Sequence, residues 1–340
     1  MMAKRLERCH NDIAMKLNQL RDVVAVAERG SLRGAARELG LAQPAITRSI
    51  REIERELGVA LFERHARGMT LTTIGTVFVR RARVIQGELR RVRDEVDQLR
   101  GQTTGRVAVG LSTVSHLALL PATLGAFRSR YPDVLLDVSE GLYPNMHMAL
   151  DDGLIDFYVG PLPETPLSKD YMIEKLFENE RVVLARIGHP LAGSKSLRDL
   201  ADARWITTSI TVQSEAELGP LFARHGLPSP RIQMQAHSAL TMIVAAAHSD
   251  LLAMMPQQWC RFPWTNALLQ KINVKERLFA PAMHIVRRTR LPLTPAAEFF
   301  CDLLRRAAHQ QPPGAAPAHK PATLSKPSRS RPVLRRLTDR

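Results

Sequence analysis

Apolar residues at three- and four-residue steps open the ordered part of the chain. Over 17–28 they are Leu17, Leu20, Val23, Val24 and Ala27, the pattern of a helix with one buried face. Gly30 stops it and Ser31 is a suitable N-cap. Residues 32–39 then turn Ala35, Ala36 and Leu39 inward as a second, short helix ended by Gly40. After a turn over 40–42, the stretch LAQPAITRSIREIERE (41–56) sets Ile46, Ile50, Ile53 and Leu57 on one stripe, which predicts a third helix with that stripe buried. Its other face carries Gln43, Thr47, Arg48 and Arg51, short hydrogen-bonding or forked cationic side chains of the kind that read base edges and phosphates. Pro44 suits the first turn, where the amide hydrogen it lacks would be unpaired anyway. Helix, helix, tight turn, helix is helix-turn-helix geometry. Two short extended pieces, 60–64 and 69–72, follow as a wing that puts Arg64, His65 and Arg67 near a phosphate backbone.

Residues 73–100 contain no Pro, and Ile74, Val77, Phe78, Ala82, Ile85, Leu89, Val92, Val96 and Leu99 keep the helical spacing. One long helix of about seven turns follows. Its arginines lie off the stripe, a pattern that suits pairing with a second copy of the chain; packing on its own domain is the alternative. The run GQTTG (101–105) reads as a hinge. Beyond it, strands at 106–111, 134–140 and 155–160 alternate with helices at 116–131 and 145–152. The theme repeats through 181–186, 205–208, 215–225, 231–235, 238–247 and 251–256, and ends on a strand at 282–288 and a helix at 295–308. Such alternation predicts an α/β fold with a largely parallel sheet, in two lobes enclosing a cleft. From Gln310 the composition shifts to Pro, Ala, Ser, Lys and Arg, which predicts a disordered basic tail over 310–340.

Charge sharpens this division. Of the formal +15 carried by 340 residues, the middle contributes little: 101–309 hold 21 Lys/Arg against 19 Asp/Glu. Residues 1–100 hold 20 against 13, and 310–340 hold 7 against 1. A basic end beside a near-neutral body points to a polyanion partner for that end, with a merely solvated basic surface as the alternative. Three scattered cysteines, Cys9, Cys260 and Cys301, offer neither a disulfide framework nor zinc spacing. Residues 1–15, before the patterned region, read as an N-terminal extension. They are too interrupted by charge for a secretion signal, and no long apolar run follows, so a soluble cytoplasmic protein is expected, with no membrane partner.

Catalytic signatures are missing: there is no GxGxxG after a strand, no GxxxxGK[ST], HExxH or GxSxG, and the histidines show no ligand spacing, so no metal is expected. Ser112, Thr113 and Ser115 follow a strand at a helix start, where hydroxyls, free N–H groups and the helix dipole suit a carboxylate. Plain N-capping accounts for the same residues. Thr207, Thr208 and Ser209 make a second polar rim, and Gly160 and Pro256 end strands at the carboxyl side, where open α/β sheets bind ligands.

The run SLRGAARELGLAQPAITRSIREIERELGVALFERHARGMTLTTIG, residues 31–75, resembles the winged helix-turn-helix signature of LysR-type transcriptional regulators, and the likeness continues to about His309. The resemblance implies an N-terminal all-α winged helix-turn-helix over 16–72, a dimerising linker helix over 73–101, and a two-lobed, periplasmic-binding-protein-like α/β effector domain over 102–309. Lobe I would comprise 106–162 and 272–309, and lobe II 163–271. It assigns Ser31, Arg33, Gln43, Pro44, Thr47, Arg48, Arg51, Arg64 and Arg67 to DNA, and Ser112, Thr113, Ser115, Gly160, Thr207, Thr208, Ser209 and Pro256 to the effector. The implied partners are double-stranded promoter DNA, a small organic effector acting as co-inducer, a homodimer or homotetramer, and RNA polymerase; no cofactor or enzymatic activity is implied. One position departs from the pattern: Ala42 stands where the family has Ser, removing an N-cap worth roughly 1 kcal/mol. The competing reading is a bilobal ligand-binding or catalytic domain with the N-terminal helices as a dimerisation module, disfavoured by the missing catalytic signature and the missing signal peptide.

Overall fold

In the computed structural model, which describes residues 15–66, 68–163, 167–208 and 215–311, glycines cut the first helices where the sequence places the breaks. Helices α1 (Leu17–Arg29), α2 (Leu32–Leu39) and α3 (Gln43–Leu57) end at Gly30, Gly40 and Gly58, each with φ between 62° and 68°. Only glycine reaches that left-handed region without penalty. Leu20, Val23, Val26, Ala35, Ile46, Ile50 and Ile53 close one core with Leu61 and Phe62. Burying each large aliphatic side chain contributes about 1.5–3 kcal/mol. The stripes stop short of their expected ends: Leu17 is 52% exposed and Leu57 38%, each at a helix terminus that overhangs the core.

Strands β1 (Phe62–His65) and β2 (Gly68–Leu71) pair antiparallel as a hairpin. Two contacts fix this wing. Glu54 of α3 accepts from the backbone N–H groups of Leu61 and Phe62 at 2.8 and 3.2 Å. Met69 N–H donates to the Gly30 carbonyl at 2.8 Å, tying the hairpin to the α1–α2 turn. Thr72 then caps α4 (Thr73–Leu99) by accepting from Gly75 N–H. That helix starts so close to the wing that a Cβ on Gly75 would lie 2.0 Å from the Leu61 carbonyl oxygen. The single apolar stripe expected along α4 is in fact two. Val79 and Ala82 face the core of the N-terminal domain, with Phe78 partly buried against it, whereas Ile74, Val77, Ile85, Val92, Val96 and Leu99 are exposed.

Past Gly101, the chain builds β3 (Thr104–Leu111), α5 (Thr113–Ala118), α6 (Leu120–Arg130), β4 (Asp133–Glu140), α7 (Tyr143–Asp151), β5 (Phe157–Pro161) and β6 (Tyr171–Arg186). The one helix expected over 116–131 is broken at Leu119, because Pro121 has no N–H to donate and its ring blocks the preceding turn. There follow β7 (Arg204–Thr208), α8 (Glu215–Arg224), β8 (Arg231–Ala236), α9 (Ala239–Ala247), β9 (Leu252–Pro256), α10 (Pro263–Leu268), β10 (Leu269–Ile272), β11 (Phe279–Arg288) and α11 (Pro295–His309). The basic tail from 312 lies outside the described residues.

The sheet runs β4-β3-β5-β11-β6-β9-β7-β8, with β10 also pairing β6. It is mixed rather than largely parallel. The trios β4-β3-β5 and β9-β7-β8 are parallel, but β6 and β11 make only antiparallel pairs. The reason is β6, a 16-residue strand belonging to both lobes. Its first part, Tyr171 to Glu180, pairs with β11, and its second, from Arg181, pairs with β9 and β10. The first crossing therefore falls at Glu180–Arg181, not near residue 163. The second falls near Leu278, which packs in the lobe II core, not at 272. A strand that continues through both lobes leaves no turn signal in the sequence to mark the boundary.

Candidate nucleic-acid interface and ligand cleft

The outer face of α3 carries Gln43, Pro44, Arg48 and Arg51, all exposed, with Arg55 one turn further on. Thr47 is half-buried, and its hydroxyl donates to the Gln43 carbonyl at 3.0 Å, which leaves it an acceptor towards solvent. Ala42 holds an extended N-cap backbone with no side-chain cap, and Pro44 fills the first turn. On α2, Ser31 spends its hydroxyl on Gly34 N–H at 3.1 Å, while Arg33 is exposed. Arg64 is exposed on β1; Arg67 lies outside the described residues. His65 follows Arg64 on β1 and is held by Thr70 at 2.9 Å. Arg33, Arg48, Arg51 and Arg64 make no ion pair among the described residues. Arg29, by contrast, grips Glu38 through two bonds and braces α1 against α2. The outward face thus offers unneutralised forked cations on a frame locked by its core and by the Met69–Gly30 bond, the arrangement that phosphate and base-edge contacts require.

Between the lobes lies a cavity of about 740 Å³. It opens beyond the carboxyl ends of β3, β4, β5, β8 and β9, where ligands of open α/β sheets bind. Ser112, Thr113 and Pro256 line it as expected. Ser112 caps α5, and the Thr113 hydroxyl donates to Glu140 at 2.6 Å, so it is engaged rather than free. Three other expected residues do not line it. Ser115 is fully buried and donates to the Val159 carbonyl at 2.8 Å, holding α5 on β5. Gly160 makes room for Tyr158, whose hydroxyl would sit 1.9 Å from an added Cβ. Thr207 is buried in the middle of lobe II. Thr208 ends β7, and Ser209 lies outside the described residues.

The lobe II wall comes instead from the next strand. β8 pairs Thr208 with Ala236 and runs on into His237 and Ser238, which reach the cavity at the start of α9. Glu140, Asn179 and Arg181 also line it, together with the apolar Met242, Met254, Met255, Trp259 and Met283. Glu140 and His237 were legible from the strand-end rule, which applies to β4 and β8 as it does to β5 and β9. Asn179 and Arg181 carry no such signal, since they sit mid-strand at the crossing. Among the described residues no group of His, Cys, Asp and Glu could hold a metal ion.

A junction joins this cleft to the linker helix. Arg91 of α4 donates to Asp156 at 2.7 Å and to the Gly153 carbonyl at 3.0 Å, and it also pairs with Glu88. Glu88 in turn accepts from Arg288 of β11. Gln98 bridges the Ala296 N–H and the Thr104 carbonyl. The site is crowded with cations: burial, then Arg106 and Arg91, push the Arg90 guanidinium below its usual value. Strand β5 begins next to Asp156 and ends at cleft-lining Pro161, so one short strand connects the two sites.

Comparison with known proteins places both parts. Residues 17–76 match the model of the bacterial regulatory helix-turn-helix protein, lysR family, and residues 100–309 match the LysR substrate binding domain. The regulator GbpR of Azospirillum brasilense is 25% identical over 297 residues, 86% of this chain and 87% of its own length. The SDS degradation transcriptional activation protein of a Pseudomonas strain (ATCC 19151) is 28% identical over 306 residues, 88% of this chain and 99% of its own. Among solved structures, CbnR, a LysR family transcriptional regulator, superposes with a TM-score of 0.65 at 22% identity, over 86% of this chain and 99% of that one, which speaks to fold alone. Among the described residues no helix is long and apolar enough to cross a membrane. With both family models matched in order along one chain, the protein belongs to the LysR family of DNA-binding transcriptional regulators.

Proposed function

We propose that α3 reads promoter DNA through Gln43, Pro44, Thr47, Arg48 and Arg51, that Ser31, Arg33, Arg64 and Arg67 hold the flanking phosphates, and that a small organic acid bound between the lobes governs the response. The observation that carries the DNA reading is the set of exposed cations with no protein partner among the described residues, on a frame too rigid to collapse onto them. Binding by such a set releases counterions and is steeply salt-dependent. The Arg181 guanidinium in the cleft supports an acid as effector, because a forked cation in a partly apolar cavity holds a carboxylate better than it holds a neutral group. The exposed stripe on α4 supports assembly with a second copy, since Ile85, Val92 and Leu99 fall seven residues apart, the repeat of a helix pair. β5 and the Asp156–Arg91 bond supply a route from cleft to linker.

The test is binding of the full-length protein to a duplex carrying the DNA upstream of its own gene, followed by fluorescence anisotropy at several salt concentrations. Wild type should bind with a steep salt slope. Arg48→Ala with Arg51→Ala should weaken binding severely and flatten that slope by about one unit for each phosphate no longer neutralised, with melting behaviour unchanged. Salt-insensitive binding, or loss of folding in the double variant, would overturn the assignment.

A further inference from the structure

We infer that the cleft selects amphoteric ligands of the amino-acid class, which carry a carboxylate and an ammonium together, and that Glu140 is the residue reading the ammonium. This rests on the reading of the cleft as an effector site for organic acids and narrows it.

Among the described residues lining the cavity, Arg181 and Glu140 are the permanently charged ones, and each lobe contributes one of them. Arg181 is the first residue of the lobe II part of β6, beside Pro256. Glu140 is the last residue of β4 in lobe I, beside Leu111. The described lobe I residues that line the cavity, from Ser112 and Thr113 on α5 to Met283 on β11, include no cation, and Glu140 forms no ion pair among the described residues. Glu140 is exposed at the mouth of the cavity, where its Oε1 accepts from the Thr113 hydroxyl at 2.6 Å while its second oxygen has no partner among the described residues.

Such a wall discriminates by sign. A ligand that is only an anion meets Arg181 favourably and Glu140 unfavourably. One that adds an ammonium satisfies both, and the unpaired carboxylate acts as a repulsive element against the simpler acid. Arg181 already has an interaction within the protein, and five N–H donors let a guanidinium serve that partner and a ligand carboxylate together. Much of the remaining wall is apolar and adaptable: Met242, Met254, Met255, Met283 and Trp259 can fit the carbon skeleton of a ligand of varied shape. Because the two charges sit on different lobes, both are satisfied together only when the lobes hold the ligand between them, which couples recognition to closure.

The experiment is calorimetric titration of the full-length protein with matched pairs: leucine, methionine, phenylalanine and the ω-amino acids 4-aminobutanoate and 5-aminopentanoate, each against its deaminated carboxylic acid, with succinate and glutarate alongside. At least one amino acid should bind about tenfold or more tighter than its deaminated partner, the strength of a charge-assisted hydrogen bond. Glu140→Gln should erase that preference. Glu140→Lys should reverse it in favour of a dicarboxylate, and this gain does not depend on how well the first variant folds. If acids bind but amino and deaminated partners bind alike, or if Glu140→Gln keeps the preference, the inference falls while the cleft remains an acid site. If no acid of either kind binds, the effector reading itself falls, and this inference with it.

Discussion

Asp156 accepts from Arg91 Nε at 2.7 Å, and the pair is nearly sealed, with side chains 8% and 12% exposed. The second oxygen of the same carboxylate accepts from Ala108 N–H at 2.8 Å. One side chain thus joins the linker helix to the start of β5 and the middle of β3, the two strands whose far ends reach the cleft. Removing it strips the nearly buried Arg91 guanidinium of one of its two counter-charges, Glu88 remaining, and leaves the Ala108 N–H without its acceptor. Asp156→Ala should therefore cost about 2–3 kcal/mol in a urea melt, the worth of hydrogen bonds to a charged group. Asp156→Asn, which can still accept from Ala108, should cost less. In the milder variant DNA affinity should stop responding to ligand; a variant that melts and responds like wild type would rule out the junction as a connection.

Ala42 precedes α3 with φ −71° and ψ 135°, an N-cap backbone lacking only the hydroxyl. Ala42→Ser should stabilise the DNA-binding domain by about 1 kcal/mol, and Ser31→Ala, which deletes the cap on α2, should destabilise it by a similar amount. Thermal melts of the two variants should move in opposite directions from wild type.

The exposed stripe on α4 ends at Leu99, which is 73% exposed. Val92→Asp with Leu99→Asp charges that stripe without touching the buried residues of either domain. Multi-angle light scattering should show wild type as an oligomer and the double variant as a monomer with an unchanged circular dichroism spectrum. Unchanged mass would mean that assembly uses another surface.

Burial pushes the Cys301 thiol up to about 12, from an ordinary value of 9.0. Its stabilising contribution is complete below pH 9, where the thiol is protonated in both folded and unfolded chains. Above that, the unfolded thiol ionises while the folded one does not, so stability falls as pH rises towards 12. Urea melts from pH 8 to 11 should show a steeper loss for wild type than for Cys301→Ala. An aromatic disulfide reagent at pH 8 should leave Cys301 unmodified until the protein is unfolded.

Much of this fold is legible in the residues because it is punctuated locally. Gly30, Gly40 and Gly58 end helices by a conformation that single residues dictate, and the stripe Ile46, Ile50, Ile53 is buried as its spacing requires. The features that the residues hide are those decided at long range. Nothing near Glu180 announces a change of lobe, because both halves of β6 are strand and only the partners differ. The α4 stripe looks single in sequence because helical spacing cannot say that one end of a helix packs on one domain while its other face stays bare. In the cleft, hydroxyl runs such as Thr207 and Ser115 are attractive by type. Ser115 instead gives its hydroxyl to the Val159 carbonyl and Thr207 is buried, while Glu140 and Arg181, two isolated residues with no motif around them, line the cavity.

The long strand β6 also sets what this gene can tolerate. Side chains alternate along a strand, so losing one residue between Phe177 and Val182 would flip every inward position on one side of the cut relative to the other. Neither lobe could absorb the error alone, since Ile285 of β11 and Met254 of β9 read the same strand from opposite ends. A change of length within this strand has to be absorbed by both lobes at once, whereas one in the connections around it concerns a single lobe.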